Sequence, residues 1–187
     1  MHIHQLSASY EATQDRILLR INTHEGQVLQ LWFTRRLLHQ LFPKLLEYER
    51  SMTLRDLAAS SPEKTHSHSQ EAQDELLAIK REAVVQGSDF ATPFVQQPEL
   101  PDLPALLVTQ VTFERTQPEQ IRLHFEEILL AEQPPRGLQL NFNAEVYVGL
   151  LSLLQQTIRL AEWDDTRPAA DAPNTPTADG ASDMHLW

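Results

Sequence analysis

Histidine is the side chain in this sequence with the most to offer chemically, and two of its spacings are suggestive. There are eight histidines; His2 and His4 lie two apart at the start, and His66 and His68 lie two apart in a polar stretch. Alternate residues of a strand point to the same face, so two imidazoles at this spacing can address one metal ion. Neither pair has a third His, Asp or Glu at a diagnostic spacing, and no H-E-x-x-H occurs. Solvated polar histidines account for both pairs more simply, and no metal ligand is assigned. Cysteine is absent, which removes disulfides, thiolate metal sites and a cysteine nucleophile. Glu126-Glu127 and Asp164-Asp165 fall in or near expected loops, with nothing to pair them across a pocket. No phosphate loop, dinucleotide fingerprint or nucleophile elbow is present, and five glycines leave little for a Gly-rich cradle. No catalytic residue and no cofactor is therefore assigned, and the reading leans away from an enzyme.

The residues that point outward to a partner are of another kind. Arg35-Arg36 opens an expected helix, where cations oppose the macrodipole. They make either a basic spot for a partner, an ion pair with the acidic connector, or two long side chains lying over the sheet edge. Trp32 faces opposite to Leu31 and Phe33, with Leu18 and Val28 also on outward positions. The first sheet thus has two partly apolar faces, and either the connector or a second subunit covers the outer one.

Charge narrows the partners. The net charge is −11, with +1 over residues 1–60, −5 over 61–104, −3 over 105–162 and −4 over 163–187. General attraction to nucleic acid or anionic membrane is disfavoured. Only the N-terminal half offers a locally basic face, through Arg16, Arg20, Arg35, Arg36, Lys44, Arg50 and Arg55. Met1-His2-Ile3-His4-Gln5 lacks the basic region and apolar run of a secretory signal. No stretch approaches the roughly 18–20 apolar residues that span a bilayer. A cytoplasmic protein with no membrane partner is expected.

These residues need elements to hold them. Leu6, Ala8 and Tyr10 alternate with polar residues, as do Ile17, Leu19 and Ile21, and then Leu29, Leu31 and Phe33. This predicts three strands, with His24-Glu25-Gly26 as the second turn. Thr34 suits a helix N-cap. Leu37, Leu38, Leu41, Phe42, Leu45 and Leu46 then follow helical spacing, with a kink or break expected near Leu41 because of Pro43. Gln70 to Gln86 reads as a connector helix, and Asp89 to Pro104 as an extended connector with Phe90 and Phe94 packed onto the core, where a short edge strand would fit.

From Ala105 the pattern returns. Leu106 to Glu114 reads as a strand, Ile121, Leu123 and Phe125 as the next, and Leu138, Leu140 and Phe142 as the third. Asn143 takes the N-cap place, and a helix lined by Val146, Tyr147, Leu150, Leu151, Leu154 and Ile158 ends near Glu162. An offset of 109 maps Phe33 to Phe142, Thr34 to Asn143 and Leu41 to Leu150, while Tyr10 matches Phe113 at 103. The expected fold is α+β: tandem β-β-β-α units over 1–59 and 105–162 related by pseudo-twofold duplication, with 60–104 as connector. Residues 163–187, rich in Ala, Asp, Pro and Thr, read as a disordered acidic tail.

That tail, with Leu186-Trp187, resembles those with which bacterial single-stranded DNA-binding proteins recruit partners. The tandem sheet-then-helix layout is similar to the Whirly and PUR-type nucleic-acid-binding folds, which use four strands per unit and are basic; three strands per unit are legible here. The leading expectation is a non-enzymatic protein-interaction or accessory module that self-associates as a homodimer. Its partner-facing residues are Arg16, Arg20, Trp32, Arg35, Arg36, Leu186 and Trp187. The alternatives are single-stranded nucleic-acid binding through the Arg/Trp surface, and an enzyme with its site between the two units.

Overall fold

A computed structural model of the protein describes residues 3–60, 70–87, 93–98, 104–117, 120–129 and 134–163. The elements are β1 (Ile3–Glu11), β2 (Arg16–Thr23), β3 (Val28–Thr34), α1 (Arg35–Ser60), α2 (Gln70–Gly87), β4 (Leu106–Leu107), β5 (Gln110–Gln117), β6 (Gln120–Glu127), β7 (Arg136–Asn143) and α3 (Ala144–Leu160). The fold is mixed α+β, with seven strands in two sheets and three helices among the described residues. No helix among them is long and apolar enough to cross a membrane.

The first sheet has the order β1-β2-β3-β4, and the second the order β5-β6-β7. Alternation places Ile17, Leu19 and Ile21 of β2 beside Leu29, Leu31 and Phe33 of β3, all buried. In the second sheet Ile121, Leu123 and Phe125 face Phe142, Leu140 and Leu138 in the same manner. Phe33 meets Phe125 edge-on at 6.2 Å, so the two inner faces share one core. Each large side chain buried there contributes roughly 1.5–3 kcal/mol.

The expected strand from Leu106 to Glu114 is two strands. Leu106 and Leu107 pair parallel with Leu31 and Trp32, so the first sheet gains a fourth member. Val108 N then donates to Trp32 O at 2.9 Å, and Thr109 N to Glu126 O at 2.8 Å. Two consecutive residues thus hand the chain from one sheet to the other. The Glu127 carboxylate secures this crossing: it is buried, accepts from Leu107 N at 3.1 Å and from Arg136 Nε at 2.7 Å. The sequence places Glu127 at a loop; the structure makes it an internal tie, because its neighbours come from β4 and β7.

Both sheet-to-helix joins are capped as expected. Leu37 N donates to Thr34 Oγ1 at 3.2 Å, and Val146 N donates to Asn143 Oδ1 at 2.7 Å. Pro43 does not break α1, which runs unbroken from Arg35 to Ser60. Pro43 and His39, whose carbonyl loses its partner, both lie on the exposed side, where solvent can reach that carbonyl.

The helices pack across the halves. α3 lies along β1, and its Tyr147 hydroxyl donates to Leu45 O of α1 at 3.0 Å in the buried interior. Tyr48 of α1 stacks edge-on with Phe113 of β5 at 4.9 Å. Trp163, which the sequence reading puts in the tail, is 6% exposed. Its ring meets Tyr10 edge-on at 5.6 Å, and its Nε1 donates to Asp15 Oδ1 at 2.9 Å. The folded body therefore extends at least to Trp163. Phe94 is half-buried and is not among the side chains packed on the core; Phe90 and residues 164–187 lie outside the described residues.

Candidate functional site

The outward face of the first sheet is a grid set by strand register. Arg16 stands opposite Thr34, Leu18 opposite Trp32, Arg20 opposite Gln30 and Asn22 opposite Val28. On the other side of β2, Glu11, Ser9, Ser7 and Gln5 stand opposite Arg16, Leu18, Arg20 and Asn22. Trp32 in turn pairs with Leu107 of β4. Leu18, Trp32 and Leu107 therefore form an apolar row across three strands, with Arg16 and Arg20 on either side of Leu18 along β2.

The connector covers one end of this face. Asn22 Nδ2 donates to Val95 O at 2.7 Å, and Gln5 Nε2 donates to Pro93 O at 3.1 Å. Val95 N donates to Gln5 Oε1 at 3.1 Å, and Val28 N to Pro98 O at 3.0 Å. These bonds explain why outward-facing Asn22 and Val28 are almost fully buried. The described connector thus lies at the Asn22–Val28 end, and the Arg16–Trp32 end is away from it. Trp32, Arg16 and Arg20 are half-buried there, Leu18 between the two arginines is buried, and Arg20 Nη1 donates to Ser9 Oγ at 3.3 Å.

Three of the predicted partner-facing residues, Arg16, Arg20 and Trp32, fall together on this face. Arg35 and Arg36 follow Thr34 directly and are exposed at the first turn of α1. They adjoin the Arg16 corner, because Arg16 pairs with Thr34. The hydrogen bond to Asp15 Oδ1 raises the pKa of the Tyr10 hydroxyl, against a smaller lowering by the Arg35 charge. Glu11, opposite Arg16, keeps the corner from being purely basic. Leu186 and Trp187 lie outside the described residues. Leu107 is the member of the row that sequence reasoning missed; its alternation signal was assigned to the second unit.

Two other places concentrate polar groups. A cavity of about 530 Å³ lies between the halves, lined by Ile3, His24, Gln120, Asn141, Asn143 and Val146, among others. Among the described residues it gathers one imidazole and three carboxamides and no carboxylate. His24 stacks with His4 at 4.9 Å, so His4 has found a partner on the β2–β3 turn; His2 lies outside the described residues. No group of three or more His, Asp or Glu able to hold a metal occurs among the described residues.

The second place joins α1 to α2. Glu49 is 3% exposed, and Arg81 Nε reaches its two oxygens at 2.9 and 3.0 Å, with Arg81 Nη2 completing the pair. The Glu49 carboxylate holds the Arg81 pKa above its ordinary value against the opposing effect of burial. Arg50 and Asp74 add a bridge at 3.2 Å. Burial, then the charge of Glu49, pushes the Tyr147 hydroxyl well above the usual tyrosine range. These groups hold helices together; a charge pair this well satisfied is an ordinary interior tie.

No family model, curated protein or solved structure matches this chain.

Proposed function

We propose that the protein is a non-enzymatic interaction module that self-associates and holds a protein partner on the outer face of its first sheet. The observation that carries the reading is the half-buried pair Trp32–Leu107, packed beside the buried Leu18 and flanked by Arg16 and Arg20, at the end of the face away from the described connector. Aromatic and arginine side chains on a preformed surface are the commonest strong contributors to protein interfaces. A matching partner presents an apolar side chain to the row and carboxylates to the arginines. Leu186 and Trp187, in the acidic segment 164–187, belong to the same proposal as a second recruiting element.

The test is site-directed photo-crosslinking in the native host, with the reactive residue at Gln30. A partner captured from that position and lost in Trp32→Ala supports the reading. Capture that Trp32→Ala and Arg16→Gln/Arg20→Gln leave unchanged sinks it.

A second reading, single-stranded nucleic-acid binding, is favoured by the same face, since bases stack on an aromatic flanked by cations. It expects salt-dependent oligonucleotide binding that weakens when Arg16, Arg20, Arg35 and Arg36 become glutamine. Absence of binding at low salt ends it.

The two halves are also read as a tandem β-β-β-α duplication. In support, both joins are capped at the third helical residue. Tyr10 and Phe113, equivalent under the repeat, each receive an aromatic ring from the other half, Trp163 just after α3 and Tyr48 within α1.

A further inference from the structure

Strand pairing leaves β7 as an open edge. It is the last strand of its sheet and bonds to β6 on one side only among the described residues. Which backbone groups it presents follows from β6. Glu126 O accepts from Thr109 N, on the β5 side of the sheet, as does Gln120 O from Thr116 Oγ1. Even-numbered residues of β6 therefore bond toward β5, and Ile121, Leu123, Phe125 and Glu127 bond toward β7. Their partners are Phe142, Leu140, Leu138 and Arg136. By alternation, the N–H and C=O groups of Gly137, Gln139 and Asn141 point away from β6, into the open edge.

This edge lacks the devices that normally prevent pairing. From Gly137 to Asn143 it has no charge and no proline, and its register is regular. The other outer strand of this sheet, β5, is different: it carries the charges of Glu114 and Arg115 and a register shift between Arg115 and Gln117. At the Arg136 end of β7, Ile128 and Leu129 continue past the last β6 pair and are 45% and 58% exposed. An antiparallel twofold pairing is self-complementary, so the same groups donate and accept from both copies.

We infer that β7 pairs antiparallel with β7 of a second copy, joining the two second sheets into one through the Gly137–Asn141 edge. This rests on the self-association proposed above and names its surface. The pairing places Ile128 and Leu129 at the corner where the partner's Asn143 end arrives. The outward side chains Gln139 and Asn141 lie nearest the twofold axis.

Sedimentation velocity on the full chain, from about 1 to about 100 µM, tests the inference with Gln139→Pro and Gln139→Lys. Proline at 139 removes an edge donor and no β6–β7 bond. Lysine keeps the backbone and sets like charges against each other near the axis. The expected result is a concentration-dependent dimer whose dissociation constant rises at least roughly tenfold in both variants, with far-UV circular dichroism unchanged. If Gln139→Pro loses its fold, Gln139→Lys alone decides. A dimer that Gln139→Lys leaves intact overturns β7 as the surface while self-association stands. A chain that stays monomeric throughout overturns both.

Discussion

Replacing Trp163 by alanine asks where the folded body stops, and the structure sets the size of the answer. The indole is 6% exposed, its ring meets Tyr10, and its backbone N–H donates to Ile158 O at 3.0 Å. Deleting a buried tryptophan side chain costs about 3–5 kcal/mol through lost transfer energy and the cavity left behind. The hydrogen bond from Nε1 to Asp15 is a minor part, because Asp15 is exposed and water can take the donor's place, leaving about 1 kcal/mol. Trp163→Phe separates the two effects by keeping most of the ring and losing the donor. With a urea slope of about 2 kcal/mol per molar, the midpoint falls by about 2 M for Trp163→Ala and by about 0.5–1 M for Trp163→Phe. Far-UV circular dichroism is the right readout, because the substitution itself changes the fluorescence. A Trp163→Ala midpoint within about 0.5 M of the parent would refute the packing argument and return Trp163 to the tail.

Three further outcomes follow from the interior and from the two helix caps. The unfolded chain ionises Tyr147 near the ordinary tyrosine pKa of 10.0, while the folded chain holds it protonated well above that. Its contribution is complete below that pH and is lost as pH rises, by about 1.4 kcal/mol per unit. Tyr147→Phe, about 1 kcal/mol less stable at neutral pH, should show a shallower loss of stability on alkaline titration; equal slopes would count against the assignment. Arg81→Met leaves Glu49 charged and unpartnered and should cost about 2–3 kcal/mol, below the full buried-pair range because Arg81 is 31% exposed. Adding Glu49→Gln should restore most of that in thermal melts. Thr34→Ala and Asn143→Ala should each lose about 1 kcal/mol by denaturant titration, as N-cap removals do.

Much of the fold was legible because it is local. Period-two alternation located the long strands, helical spacing located the helices, and Thr34 and Asn143 marked the joins. The misreadings share one cause. Leu106 and Leu107 alternate as any strand does, and nothing in them says which sheet they enter; that depends on Trp32, seventy-five residues earlier in the chain. Pro43 reads as a breaker until its exposed position on α1 is known. Trp163 follows the last helical residues and precedes a polar segment, so composition assigned it outward, whereas the β1–β2 turn brings Asp15 and Tyr10 to it.

For the candidate site the division is similar. The sequence alone determined that Arg16, Leu18, Arg20 and Trp32 share one sheet face, because side chains alternate along β2 and β3 and the turn between them sets the register. It also determined that Arg35 and Arg36 start the following helix. Only tertiary structure decided that Leu107 completes the row, that the connector covers the Asn22 end, that Glu49 and Glu127 are interior ties, and that the outer edge of β7 is unpaired among the described residues. Those outcomes depend on contacts between residues distant in the chain, which local periodicity does not encode.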